Sequence, residues 1–144
     1  MKSMRSLLAL STLAGLLVWQ VACQQTKPGA AASADEAKQY IKQLALSDFD
    51  MKASESYGGQ ELVEMTGNIT NNGPRPLQRV DLNCVFADPY GQPVLRETVP
   101  IVRPDKGGLK PGETKPFRLA FDNVPKTWNQ STPQMVMAGV VFEQ

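Results

Sequence analysis

The chain has 144 residues, which is enough for one domain of ordinary size once a leader segment is set aside. Its 15 Lys and Arg residues nearly balance 14 Asp and Glu residues, so it lacks the basic surplus of a nucleic-acid-binding domain and we expect no nucleic acid partner. The sequence contains no histidine, which excludes Ser-His and Cys-His nucleophile pairs and most zinc sites.

The N-terminal residues, 1–22, have the layout of an export signal. Lys2 and Arg5 come first, and an almost wholly apolar run from Ser6 to Ala22 then ends at Cys23. This run is close to the lower limit of about 17 to 25 residues for a membrane-spanning helix. Residues 1–22 are therefore predicted to be a signal segment, with an uncleaved membrane anchor and an ordinary cleaved signal as the alternatives.

The motif Val21-Ala22-Cys23 after a leucine-rich run resembles the lipobox of bacterial lipoproteins. In that family the cysteine thiol is diacylated and becomes the first residue of the mature chain, so the resemblance implies lipidation of Cys23 and attachment to a membrane through the N-terminal lipid. The same resemblance implies the bacterial cell envelope, and Gln24 rather than Asp after the cysteine favours the outer membrane facing the periplasm over the inner membrane.

Residues 23–34 are small and polar and include Pro28 and Gly29, which is the composition of a flexible tether. A short amphipathic helix is predicted over residues 35–45, since Ser33 and Glu36 stand at capping-box spacing and apolar residues recur at helical intervals. Its apolar stripe is interpreted as packing on the domain or serving as a stalk, with contact to a partner as the alternative.

From residue 46 to residue 144 the pattern is that of strands. A first strand is predicted from Leu46 to Ser56, closed by a turn at Tyr57-Gly58-Gly59. Asp48 and Asp50 alternate along it, and they are interpreted as a solvated face rather than as metal ligands or an acid and base pair, because no third oxygen ligand lies nearby in the sequence.

The most regular stretch, Leu62 to Phe86, predicts a β-hairpin: two alternating arms joined by a turn over residues 71–76. Gly67 within the first arm indicates a bulge or a close approach of another group, and Asn72-Gly73 is expected to supply positive φ. Cys84 falls on the apolar side of the second arm, so we expect a small buried hydrophobe rather than a reactive thiol.

Beyond the hairpin, Asp88-Pro89-Tyr90-Gly91 predicts a tight turn, and a strand from Val94 to Val102 is placed at a sheet edge because Pro93 and Pro100 cannot donate to a ladder. The loop over residues 103–108 contains two glycines, yet no helix start follows, so it is interpreted as a connector rather than a phosphate loop.

The chain closes with two further strands. Leu109-Lys110-Pro111-Gly112-Glu113 predicts a corner with positive φ at Gly112, followed by a strand with three inward aromatic or aliphatic residues, Phe117, Leu119 and Phe121. A loop then holds Trp128, and a last strand is predicted over residues 135–142. One face of this strand is assigned to Val136, Ala138, Val140 and Phe142.

Six to eight strands spaced by turn signals, without β-α alternation, predict a mainly β fold: an antiparallel, Ig-like β-sandwich of about seven strands. The region from about Leu46 to Phe142 resembles the extracytoplasmic Ig-like domains of bacteria grouped under the FxLYD name. The matching segments are residues 66–72, residues 85–88 with Gly91, residues 109–113, and Phe117. The resemblance implies a fold and no catalytic residue.

The sequence therefore favours a non-catalytic, lipid-anchored domain of the cell envelope that binds a protein partner or supports assembly of a complex. Trp128 and Tyr90 are the candidate contact residues, since large aromatics in sandwich-end loops make good anchors; Trp128 is alternatively interpreted as a plug of its own core. A ligand-binding or stress-protective module is the second hypothesis. An envelope hydrolase is the third and least favoured, because the spacing of Glu97, Glu113 and Asp122 selects none of them. No cofactor or metal is expected.

Overall fold

The computed structural model describes residues 33–55 and 61–144. These residues form one helix and six long strands: α1 (Ala34–Ile41), β1 (Leu44–Glu55), β2 (Glu61–Asn71), β3 (Leu77–Ala87), β4 (Pro93–Val102), β5 (Thr114–Val124) and β6 (Gln134–Phe142). The predicted signal over residues 1–22, the lipidation residue Cys23, most of the tether and the Tyr57-Gly58-Gly59 turn lie outside the described residues.

The strands form two antiparallel three-stranded sheets, with the orders β1-β2-β5 and β4-β3-β6. The sheets stack because each central strand carries an unbroken apolar face that water disfavours. The predicted β-sandwich is thus confirmed, with six strands among the described residues instead of about seven.

The core lies between β2 and β3. Val63 and Met65 of β2 and Leu82 and Cys84 of β3 are almost completely buried. Removing such side chains from water stabilises the fold by about 1.5 to 3 kcal/mol each. Cys84 is a free, buried thiol, as the alternation predicted.

The predicted hairpin between residues 62 and 86 is wrong, because its two arms belong to different sheets. β2 pairs with β1 and β5, whereas β3 pairs with β4 and β6. A period of two shows which side of a strand is apolar but not which strand lies beside it. Stacking the arms face to face buries both apolar sides against each other, and residues 72–76 form the crossover.

Buried Asn71 holds this crossover together. Its Oδ1 accepts hydrogen bonds from the Tyr40 hydroxyl (2.9 Å) and the Gly73 N–H (3.0 Å), and its Nδ2 donates to the Arg75 carbonyl (2.8 Å). Gly73 does not have positive φ, contrary to the prediction. It is glycine because a Cβ there would overlap the Tyr40 hydroxyl and the Gln43 side chain.

The helix packs on the sandwich, and it is shorter than the predicted 35–45 because the chain enters β1 at Leu44. Ser33 caps it by accepting the Glu36 N–H at 3.2 Å, as the spacing indicated. Tyr40 lies edge-on to Phe142, with ring centroids 4.9 Å apart. The Arg75 guanidinium lies over the Phe142 ring, 3.6 Å from its centroid.

A bulge in β6 corrects the predicted face of the last strand. In β6, Ala138 is an extra residue between the pairs Leu82–Met137 and Asp81–Gly139. The extra residue reverses the alternation, so Met135 and Met137 face the core while Val136 and Ala138 face solvent. Val140 and Phe142 are buried, so the four residues predicted to share one face are divided between the two faces.

Gly67 was predicted to mark either a bulge or a close approach, and a bulge between Ser47 and Asp50 of the neighbouring strand β1 lies opposite it. Gly67 itself provides the predicted close approach, because a Cβ on it would lie 2.7 Å from the Phe117 ring. The edge position of β4 and the positive φ of Gly112 (74°) are confirmed. Residues 103–108 are a connector as predicted: they contain a 3-10 turn, Pro104–Lys106, and lead into the corner before β5.

Candidate functional site

The two predicted contact residues do not form one surface. Trp128 is only 4% exposed and lies edge-on to Phe86, with centroids 5.5 Å apart, so it closes the end of its own core. Tyr90 is 89% exposed in its turn, where the Asp88 carboxylate accepts the N–H groups of Tyr90 (2.9 Å) and Gln92 (2.8 Å). Of these two residues, only Tyr90 is exposed enough to contact a partner.

The carboxylates considered for chemistry are engaged separately. Asp48 has positive φ (53°), and hydrogen bonds from Asn68 (2.8 Å) and Ser47 (3.0 Å) lower the pKa of its carboxyl below the usual value. Asp50 lies 4.0 Å from the Lys52 ammonium on the solvent side. Among the residues that the structure describes, no group of three or more Cys, Asp and Glu side chains is placed to hold a metal ion.

Glu113 is a structural carboxylate of the corner before β5. It accepts the Lys110 N–H at 2.7 Å, which lowers the pKa of Glu113, and it pairs with Lys115 at 3.4 Å. Lys115 in turn donates to the Gly108 carbonyl at 2.6 Å. These contacts close the corner and tie the Glu113 carboxylate to it.

Two three-stranded sheets leave four edge strands, which border two open sides of the sandwich. One side lies between β4 and β5, and the other lies between β1 and β6. Because edge strands expose unpaired backbone groups, proteins usually protect them with prolines, inward charges or bulges. The two sides differ sharply in this protection.

The β4–β5 side is guarded. Glu97 pairs opposite Cys84 and Lys115 opposite Ile69, which places one charged residue of each edge strand at an inward position. Prolines interrupt both strands, at Pro93, Pro100 and Pro116. A strand approaching this side would have to bury charges and would find missing N–H donors.

The guarded side also holds an open cleft of about 380 Å³, lined by four cations among other residues. Lys115 is tied to Glu113, and Arg118 pairs with Glu64 at 2.5 Å. Two of the four charges are therefore compensated within the domain, which weakens the cleft as an anion site.

The β1–β6 side carries apolar side chains that the core covers only in part. Its inward-facing members are Leu46, Phe49 and Met51 of β1 and Met135 and Met137 of β6. Phe49 is 43% exposed although it lies edge-on to Phe117, with centroids 6.2 Å apart. No charged residue faces inward on β1 between Leu46 and Ala53.

β6 is also unusual as an edge strand, because residues 134–142 contain neither a charge nor a proline. Val136 is 50% exposed and Val141 is 43% exposed on its solvent face. α1 covers the end of the strand through the contact of Tyr40 with Phe142, and the Ala138 bulge precedes that end. The stretch from Gln134 to Met137 is left with one unpaired side among the described residues.

The β1–β6 side is thus the candidate functional site, and sequence reasoning missed it. The available signal was compositional: the last predicted strand is the one strand of the described residues without Asp, Glu, Lys, Arg or Pro. The absence of charge and proline indicates a binding edge only once two facts are known: this strand lies at a sheet edge, and Met135 and Met137, rather than Val136, face inward.

No protein-family model matches the chain, no curated protein matches it, and no solved structure matches its fold. The resemblance to FxLYD domains therefore stays a prediction. None of the described residues form a helix with the length and apolar character needed to cross a bilayer.

Proposed function

We propose that this protein is a non-catalytic, lipid-anchored domain of the bacterial cell envelope, at the outer membrane facing the periplasm, that binds a protein partner through the β1–β6 side. The lipobox-like Val21-Ala22-Cys23 supports the anchor, and Cys23 is the residue that would carry the lipid. The observation that carries partner binding is the row of partly covered apolar side chains beside an uncharged edge strand.

The two open sides of the sandwich differ in how their edge strands are protected. A monomeric domain gains stability by covering apolar surface and solubility by charging its edges. Both sides leave apolar side chains partly covered, but only the β4–β5 side has inward charges, on Glu97 and Lys115, and prolines in both of its edge strands. A partner of matching chemistry, apolar towards the gap and uncharged along β6, would remove that surface from water without burying a charge.

Site-specific photo-crosslinking in cells tests partner binding. A photoreactive phenylalanine analogue placed at Val136 of the full chain is expected to give an adduct of one defined mass in the membrane fraction. The same analogue at Thr98, an exposed outward position on the guarded strand β4, is the matched control and should give none. The proposal fails if neither position gives an adduct, or if both give the same one.

Mass spectrometry of the N-terminus of protein from native membranes tests the anchor. We expect a mature chain that begins at Cys23 and carries acyl groups. A chain that begins at unmodified Gln24 or later would contradict the anchor and leave the crosslinking result standing.

A further inference from the structure

The order of the strands shows which element the β1–β6 side lacks. In a seven-stranded Ig-like sandwich, strands A, B and E lie in one sheet, while C, F and G lie side by side in the other. The order β1-β2-β5 corresponds to A-B-E, and β3 and β6 correspond to C and F, with β4 on the far side of β3. The place of strand G is beside β6, and no described residue occupies it.

We infer that β6 accepts one extended strand of a partner protein in the place of strand G, running antiparallel to residues 134–138. This inference rests on the proposed partner binding and names its geometry. Main-chain hydrogen bonds to the open edge would supply affinity, as in other cases of strand addition to a sheet edge. The alternate side chains of the added strand would enter the gap.

The residues around the vacancy define the chemistry of the added strand. Inward positions should be aliphatic, because they would cover Phe49, Met51, Met135 and Met137. Outward positions should be uncharged and β-branched, because they would lie beside half-exposed Val136. A segment of about five residues suffices, which is an ordinary strand length.

A second copy of the chain fits this vacancy less well. Two β6 strands could pair edge to edge only over the few residues before the Ala138 bulge, because α1 packs at the Phe142 end of each strand and would meet the second copy. The chain's own residues 24–32 also lack the pattern, since they include Pro28 and no alternating aliphatic residues. A partner strand with alternating aliphatic residues satisfies both requirements.

Grafting a strand onto the protein tests the inference directly. The full chain is extended after Gln144 by a flexible ten-residue Gly/Ser linker and a five-residue segment that alternates Thr and Ile. Because β6 ends beside this terminus, an added strand can fold back antiparallel to it. We expect hydrogen exchange of the amides of residues 134–137 to slow at least about tenfold and the melting temperature to rise by about 5 °C or more.

A graft with Lys in place of each Ile is the matched control, and it should change neither quantity because it would bring charges into an apolar gap. The Thr/Ile graft should also abolish the photo-adduct at position 136. Unchanged exchange in β6 with the Thr/Ile graft would overturn the inference, and so would equal protection by the Lys graft.

The two proposals fail in different ways. An adduct at position 136 that persists beside a protected, grafted β6 would overturn strand addition by the partner and leave partner binding intact. A protected β6 in a protein that never gives an adduct would refute the partner. If the ungrafted protein sediments as a dimer that Val136→Lys dissociates and Thr98→Lys does not, the vacancy belongs to a second copy and the inference is wrong.

Discussion

Asn71 shows how one polar side chain can fix the path of the backbone between two sheets. It is completely buried, yet its amide meets a hydroxyl, a backbone N–H and a backbone carbonyl, so its desolvation is compensated. Its own main chain also bonds to the corner before β5, through the Glu113 carbonyl (3.0 Å) and the Gly112 N–H (2.7 Å). Four segments of the chain meet at this residue.

Asn71→Ala should therefore lower the free energy of unfolding by about 2 to 4 kcal/mol, because it leaves buried donors and acceptors unpaired. Denaturant unfolding measures the change. The neighbouring Asn72→Ala is the control: its side chain is exposed, and its backbone N–H bond to the Gln43 carbonyl (2.9 Å) survives the substitution. Equal losses in the two variants would refute the role of the Asn71 side chain.

Burial of Cys84 makes a prediction about pH. Desolvation, with a smaller contribution from the charge of Glu97, raises the pKa of the thiol from 9.0 to about 11. An unfolded chain would ionise first, so the stability due to the buried thiol is fully present below about pH 9 and is lost as the pH rises towards 11.

Urea midpoints of the protein and of Cys84→Val, compared at about pH 8 and about pH 10.5, isolate this effect from the titration of Lys and Tyr. The native protein should lose more stability than the variant over this interval. Parallel pH profiles would mean that the thiol does not contribute. Native Cys84 should also react far more slowly than the unfolded chain with a thiol reagent.

At the scale of elements, helix α1 and the β2–β3 crossover form one unit. The Tyr40 hydroxyl accepts the Arg75 N–H (2.9 Å), and Glu36 pairs with the Arg75 side chain, so the helix is bonded to the residues that link the two sheets. The Tyr40 ring packs against Gly73, where a side chain would overlap it. The helix is thereby part of the sandwich rather than a stalk.

Gly73→Ala tests this packing. The new methyl group would overlap Tyr40 and displace α1, which should cost about 1 to 3 kcal/mol and speed hydrogen exchange in the helix. Gly139→Ala in β6 is the control, since no atom lies within 4 Å of a Cβ there; its effect should stay within about 0.5 kcal/mol. A stable Gly73→Ala protein with an unchanged helix would contradict the account.

Local signals predicted much of these elements and failed where tertiary context decides. Alternation located β2 and β3, and the Ser33–Glu36 spacing located the start of α1, because both depend on residues near in sequence. Alternation could not reveal that β2 and β3 stack instead of pairing. The Ala138 bulge also left no mark, since Met-Val-Met-Ala is apolar on both sides and fits either phase.

For the whole molecule, the decisive property is the unequal protection of its two open sides. Inward Glu97 and Lys115 protect the β4–β5 side, whereas the β1–β6 side has a bulge in each strand and α1 at one end but no inward charge between Leu46 and Ala53. This asymmetry could not be predicted from the sequence, because a charge in a strand says nothing until its neighbours and its facing direction are known. Once the sheet order is known, the same residues indicate where a partner binds.

Replacing the two inward charged residues, Glu97 and Lys115, should allow the β4–β5 side to pair with another strand. The double variant Glu97→Leu/Lys115→Leu is expected to self-associate in sedimentation velocity at micromolar concentration, because a strand could then approach without desolvating charge. Arg96→Leu/Asp122→Leu removes outward charges from the same two strands, with the same net change, and should stay in the native state of association. If neither double variant self-associates, or if both do, then Glu97 and Lys115 do not protect this side from strand pairing.

The sheet order also sets the sequence of events in folding. β1 and β2, like β3 and β4, are close in sequence, so we expect these pairs to form early, whereas β6 must reach back from Phe142 to Leu77. Closing so long a loop costs entropy before any contact repays it, so a topology of this kind folds in milliseconds to seconds. We therefore expect β6, the strand with the open edge, to be the last of the described strands to join its sheet, and before it joins, one edge of β3 is unpaired as well.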